Sequence, residues 1–312
     1  MSRVAVIGAG AVGCYYGARL AQAGHDVHFL MRRDYDAVAA RGLRVTSKDG
    51  DFALAAPAIA RRSEEIGPVD WVLCALKATA IEHAEALVAP CVGEHTRILA
   101  VMNGLGLEER FAGWFGARRV FGGLAFTCIN RGEPGEVHHL DYGPLLIGHA
   151  EDDRAELAVA AALWADATVE VSTSPSLLAA RWQKLTWNIP FNGLAVTAGG
   201  ITTDRILAQP GLRAAADATI REVVAAGNAD LAAHGEAARL DADTLAATMI
   251  ALTDAMAVYR PSTMIDFVEG RAMEVAAIFE EPARRAATLG VPAPHMALLA
   301  ALMRALDGLR RE

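Results

Sequence analysis

Apolar positions follow one another without a polar break at residues 4–7. Continuity of this kind, rather than alternation, predicts a parallel strand covered on both faces. A helix-like segment over 14–23 and a second apolar stretch over 26–31 come next, so the chain opens as a βαβ unit. Runs at 43–47 and 52–56 flank Lys48-Asp49-Gly50-Asp51; Asp-Gly between strand-like runs predicts a hairpin. Buried-strand patterns recur at 71–76 and 98–102, with a helix over 79–88 between them. Further strands are predicted at 119–127, 135–140 and 145–148, separated by turn clusters at 131–135 and 141–144. A helix over 151–165 and a strand over 168–171 complete an α/β pattern.

Beyond Ser174 the strand signal nearly vanishes. Ser174 is placed to cap a helix with Pro175 in its first position. Helical periodicity then covers 176–198, 211–234, 242–259, 274–289 and 294–309, in alanine-rich sequence that favours helix. The expected fold is α/β: an N-terminal Rossmann-type doubly wound parallel sheet followed by an all-α helical domain. A boundary near 172–175 gives domains 1–173 and 174–312, and a cleft between the two is the expected site. A length of 312 residues suits two domains.

Composition narrows the function. A hydrophobic content of 53% supplies sizeable cores. The formal net charge is −8, without a basic block, which argues against nucleic-acid binding. No apolar run approaches the ~20 residues of a membrane span, and the opening lacks the basic start and cleavage pattern of a secretory signal. Cys14, Cys74, Cys91 and Cys128 form no C-x-x-C pair and read as buried filler in a reducing cytoplasm. No His, Cys or Asp cluster has metal-ligand spacing.

The first candidate chemistry sits between the opening strand and helix. Gly8-Ala9-Gly10-Ala11-Val12-Gly13 is a G-x-G-x-x-G run in the context of a dinucleotide site. Gly8 permits the tight turn, Gly10 lets backbone approach a pyrophosphate, and Gly13 lets helix pack on strand. The helix N-terminus then faces the phosphates. Arg32-Arg33-Asp34 follows the second strand. An acidic residue there usually holds a ribose hydroxyl, whereas Arg32 suits a 2′-phosphate, so NADP(H) is the expected cofactor. Lys77 and Asn103 fall at the carboxyl ends of strands, where doubly wound sheets bind ligands.

The second candidate set lies in the helical part. Lys184, Asn188 and Asn192 recur every four residues in RWQKLTWNIPFN and share one helical face. They stand among Trp182, Leu185, Trp187, Ile189 and Phe191, an apolar setting unlike a freely solvated face. Pro190 removes a helical hydrogen bond and is expected to kink the helix beneath Asn192. Later, Ser262 falls on a predicted loop before a helix, and Glu274 opens a mostly apolar helix.

Taken in order, GAGAVG, Arg32, Leu76-Lys77-Ala78, Asn103-Gly104, Lys184-x-x-x-Asn188-x-x-x-Asn192 and the Ser262/Glu274 pair resemble the 2-dehydropantoate 2-reductase, or ketopantoate reductase, family almost end to end. The resemblance implies a Rossmann domain joined to a helical substrate and dimerisation domain, and reduction of 2-dehydropantoate by NADPH to (R)-pantoate. It implies Lys184 as the general acid at the ketone and Glu274 as the partner of the substrate's primary hydroxyl. Ser262 would meet the carboxylate, with Asn188 and Asn192 holding hydroxyl and carbonyl groups. Asn103 would lie near the nicotinamide and Lys77 near the adenosine. Thr263 stands where the family more often carries methionine. A small 2-keto acid is the implied partner, with a homodimer compatible, no nucleic acid and no membrane, in the cytoplasm. Two enzymatic alternatives share this build: a reductase of another 2-keto acid and a β-hydroxyacid dehydrogenase. A non-catalytic NADPH sensor would need Gly10 and Arg32 but not Lys184 or Glu274.

Overall fold

The unbroken apolar run at the start of the chain becomes strand β1 (Arg3–Ile7), with Val4 to Ile7 withdrawn from solvent. The structure, a computed structural model, describes residues 1–256 and 258–309. By its contacts the chain falls into two units, Met1–Met102 with Leu107–Leu177, and Asn103–Gly106 with the chain from Leu178 onward.

In the first unit, β1 leads through helix α1 (Ala11–Gln22) to β2 (Asp26–Leu30) and α2 (Tyr35–Arg41). Then come β3 (Leu43–Ser47), β4 (Phe52–Leu54), β5 (Ala58–Ala60) and β6 (Val69–Cys74). Helix α3 (Ala84–Val88), β7 (Val92–Ala100), α4 (Leu107–Phe115), β8 (Val120–Arg131) and β9 (Glu136–His149) follow. Helix α5 (Arg154–Ala162) and β10 (Val171–Thr173) end the unit. Among the described residues the strands form one sheet in the order β4-β3-β9-β8-β7-β6-β1-β2-β5, with β10 beside β9. From β8 across to β5 every pairing is parallel. Tyr15, Tyr16 and Leu20 of α1 pack with Val4, Val6 and Phe29 of the sheet in its core.

The rest of the sheet is mixed. Strands β8 and β9 pair antiparallel, as do β3 and β4. The turn at 131–135 is too short for a crossover, and only an antiparallel neighbour can follow it. The second turn cluster expected at 141–144 does not divide the chain: β9 runs through it as one strand. Tyr142 and Gly143 adopt positive φ there (59° and 128°), and the pairing with β8 shifts register nearby. The local turn chemistry is spent on a bulge.

Other expectations also shift. The first half of the helix expected over 79–88 belongs to a 3₁₀ turn, Ala78–His83, before the short α3. Ser174 does not cap a helix. Its hydroxyl donates to the Ser176 carbonyl at 2.7 Å, while the Leu177 N–H goes to Asp152 Oδ1 at 3.0 Å. Strand β5 and helices α2 and α4 carried too little periodicity to be expected.

The second unit contains α6 (Leu177–Thr197, counted here from Leu178), α7 (Thr203–Ala208), α8 (Pro210–Ala233), α9 (Ala242–Ala255) and α10 (Ser262–Val268). A π-helical turn, Ala276–Glu280, passes into α11 (Glu281–Thr288), and α12 (Pro294–Gly308) follows. The helix expected over 242–259 ends as α9; residue 257 within that range, like 310–312 of the expected domain, lies outside the described residues. Helix α6 is buried almost all round, the mark of a central helix. Trp182, Leu185, Ile189, Phe191 and Ala195 join its core. The indole of Trp182 donates to Asp230 of α8 (2.8 Å) and that of Trp187 to Thr253 of α9 (3.0 Å). Helix α6 also continues through Pro190. One missing N–H is tolerable in a helix held by packing on several sides.

Candidate functional site

The glycine run in the first unit has the geometry of a phosphate cradle. Gly8 sits at φ +95°, and a Cβ there would lie 2.6 Å from the Leu76 nitrogen. A Cβ on Gly13 would lie 2.3 Å from the Gly8 carbonyl oxygen. Around the Cβ position of Gly10 there is nothing within 4 Å. The two outer glycines are therefore required by close packing, while the middle one borders open space where a pyrophosphate can approach the backbone. Gly10 is also the N-cap of α1 and has no side-chain capping bond, so the first amides of that helix face the same opening with its positive dipole end. These residues fit a dinucleotide.

Lys77 is exposed three residues past the end of β6, at the start of the 3₁₀ turn. Strand β6 lies beside β1 and parallel to it, so Lys77 belongs to the same edge of the sheet as the cradle. Arg32 and Arg33 are exposed just beyond β2. Asp34, which in the sequence competes with Arg32 as reader of the ribose, is only 6% exposed and ion-paired to Arg131 at the end of β8. Sequence reasoning missed Arg131. The pair spans 97 positions, and no local pattern signals it.

The second unit gathers most of the other candidates. Lys184 is half-buried on α6, and its Nζ donates to Asn103 Oδ1 at 2.9 Å. Asn103 is held there by its neighbours. The N–H of Leu105 donates to the Ala277 carbonyl (2.9 Å), and the Leu105 side chain is buried in the helical core. Gly104, at φ +112°, lies so close that a Cβ would come within 2.4 Å of the Ala277 Cβ. The segment after β7 is thus docked on the π turn, and Glu274 stands two residues before the start of that turn, 7% exposed. The surface carboxylate that a helix start would allow is instead a buried one. π turns recur at functional sites because they redirect the residues around them.

Asn188 and Asn192 continue the face of Lys184 inward, at 8% and 1% exposure. The Asn192 amide donates to the Asn188 carbonyl (3.0 Å) and its oxygen accepts the Thr263 N–H (2.9 Å). Its aim is fixed on the first turn of α10. That helix begins one residue earlier with Ser262, whose side chain is exposed. Ser262 therefore opens a helix instead of preceding one. Among the described residues, no group of three or more His, Cys, Asp or Glu could hold a metal ion. Among them, too, no helix is long and apolar enough to cross a membrane.

Comparison with known proteins meets this geometry from the other side. The family model described as ketopantoate reductase PanE/ApbA matches residues 4–152, and that of the C-terminal part of the same family matches residues 176–307. A 2-dehydropantoate 2-reductase of Nostoc sp. is 35% identical, over 99% of this chain and 96% of its own length. The crystal structure of 2-dehydropantoate 2-reductase from Geobacter metallireducens superposes with a TM-score of 0.93 at 45% identity, covering 97% of this chain and 99% of that one. The corresponding enzyme from Methylococcus capsulatus gives 0.89 at 31% identity, covering 99% and 98%. A dinucleotide cradle, a lysine–asparagine pair on a central helix and matches that run the length of the chain agree: this chain belongs to the ketopantoate reductase family, oxidoreductases that use a nicotinamide cofactor.

Proposed function

We propose that the protein reduces the C2 ketone of 2-dehydropantoate with NADPH, giving (R)-pantoate on the route to pantothenate and coenzyme A. The observation that carries this reading is the bond from Lys184 Nζ to Asn103 Oδ1. An ammonium has three donors and no acceptor. The bond to Asn103 holds the ammonium at the outer end of the α6 stripe, where a substrate carbonyl oxygen would accept from it. When bound, the nicotinamide supplies a hydride to the ketone carbon. Negative charge then develops on the oxygen, where the Lys184 ammonium stabilises it and delivers the proton that completes the alcohol.

The other residues sort the substrate. Glu274 accepts a hydrogen bond from its primary hydroxyl, Ser262 meets its carboxylate, and Asn188 holds its hydroxyl and carbonyl groups. Asn192 fixes the helix that presents Ser262. Arg32 takes the 2′-phosphate of NADPH through a charge-assisted contact, with Lys77 toward the adenosine and Asn103 toward the nicotinamide.

The test is consumption of NADPH, followed by its near-ultraviolet absorbance, with a panel of 2-keto acids that includes ketopantoate. Ketopantoate should be preferred. Lys184→Ala should lower kcat by about 10²-fold, the scale of a lost general acid, while NADPH still binds in a fluorescence titration. Near-full turnover in the variant would assign the proton to another group. NADPH binding without turnover of any keto acid would favour the sensor reading.

A further inference from the structure

Beyond β2 the chain carries two arginines and then a carboxylate. The carboxylate does not face solvent. Asp34 is buried and starts α2, yet its side chain makes no capping bond to that helix. One oxygen is ion-paired with Arg131. The other, Oδ1, has no hydrogen-bond partner and lies 3.7 Å from Arg33 Nε. Arg131 reaches it from the far end of β8, with its own side chain about one-third exposed. The pair stands close to the cradle. Burial pushes the Cys14 thiol, in the first turn of α1, up to about 12, and Arg131 and Asp34 are the charged groups acting on it.

We infer that Arg131 is a specificity-determining residue: by neutralising Asp34 it keeps a buried negative charge from opposing the 2′-phosphate taken two residues earlier by Arg32. The inference rests on the NADPH reading above. Residues two apart lie within about 8 Å along the chain, near enough for an unscreened charge to matter in a partly buried setting. Without Arg131, Asp34 keeps only its longer contact to the exposed Arg33 (3.7 Å) and is a buried, largely uncompensated carboxylate. That is the arrangement that repels a 2′-phosphate and suits the free 2′-hydroxyl of NADH. Arg131 need not touch the cofactor; it acts through Asp34.

The test is a cycle of variants read as KM and kcat for NADPH and NADH at saturating keto acid, with thermal unfolding alongside. Arg131→Met should raise KM for NADPH about tenfold while leaving KM for NADH unchanged or lower, with kcat preserved, as expected for a single largely uncompensated charge near the phosphate. Arg131→Lys should keep the native preference. The double variant Asp34→Asn/Arg131→Met should restore KM for NADPH to within about threefold of native, because the repelling charge is gone. Asp34→Asn alone should tighten NADPH further, and it carries the test if Arg131→Met does not fold. Equal rises in KM for both cofactors, or no recovery in the double variant, would make the pair a structural brace only and overturn the inference. If the native protein uses NADH as well as NADPH, the failure lies with the cofactor reading. If it prefers NADPH and the preference survives Arg131→Met, only the role of Arg131 falls.

Discussion

Replacing Gly104 by alanine tests how tightly the lysine's partner is held. The glycine stands at φ +112°, where an L side chain costs about 1–2 kcal/mol. The new Cβ would also sit 2.4 Å from Ala277 Cβ and 2.8 Å from the Ala277 carbonyl carbon and oxygen. Those are atoms of a helical turn, not the far end of a flexible chain, and overpacking of this kind adds about 1–3 kcal/mol. The loss of stability should therefore be about 2–5 kcal/mol if the segment stays in place. Alternatively, the segment moves away from the π turn and carries Asn103 with it, and a displacement near 1 Å at a reacting group lowers turnover by about 10²-fold. Gly106→Ala is the internal reference. It shares a positive φ (+84°), but its Cβ would make only ordinary contact, 3.4 Å from Glu281 Cγ. Urea unfolding and NADPH turnover on both variants separate strain from collision. If Gly104→Ala costs no more than Gly106→Ala in either measurement, docking on Ala277 does not position Asn103.

Glu274→Ala should shrink the advantage of ketopantoate over its deoxy analogue, 3,3-dimethyl-2-oxobutanoate, in kcat/KM, because a hydroxyl acceptor is worth about 1–3 kcal/mol only to the substrate that has the hydroxyl. Equal slowing of the two would leave Glu274 a purely structural carboxylate. In the first unit, Glu156 of α5 receives two hydrogen bonds from Arg97 of β7 (2.5 and 3.0 Å), and these hold its carboxyl below the ordinary glutamate range. A lowered folded value stabilises above the unfolded one and is lost as pH falls through it. Glu156→Gln should therefore cost about 1 kcal/mol at neutral pH, with the gap to native closing under acid. A gap in thermal unfolding that persists at low pH would place the effect in packing.

What the sequence made legible depended on the range of the forces involved. The βαβ opening and the helical second half are written in local periodicity, so both were readable, as was the hairpin around Asp49-Gly50. Local turn chemistry misled at Asp141–Pro144. The chemistry is present, but hydrogen bonds from β8 hold the strand together across it. Pro190 does not end the helix, since packing of α6 on α8 and α9 outweighs one absent hydrogen bond. Short elements such as β5, α7 and α10 owe their form to neighbours that no window includes. The same limit hid the roles of Arg131, Gly104 and Ala277, each defined by a residue far along the chain.

The polar stripe of α6 shows why equal spacing does not mean equal roles. Lys184, Asn188 and Asn192 look interchangeable in a periodic reading, yet burial deepens along them from half-buried to 1% exposed. A buried amide must be satisfied within the protein, and Asn192 is, through the Asn188 carbonyl and the Thr263 N–H. Lys184 remains nearest the surface of the three, with its ammonium held by Asn103. Chemistry on the stripe is thus drawn to its outer end, while its inner end fixes α10 and the hydroxyl of Ser262 at the start of that helix. On the proposed reading, Asn192, farthest from Lys184, would act on the substrate only through the backbone it holds.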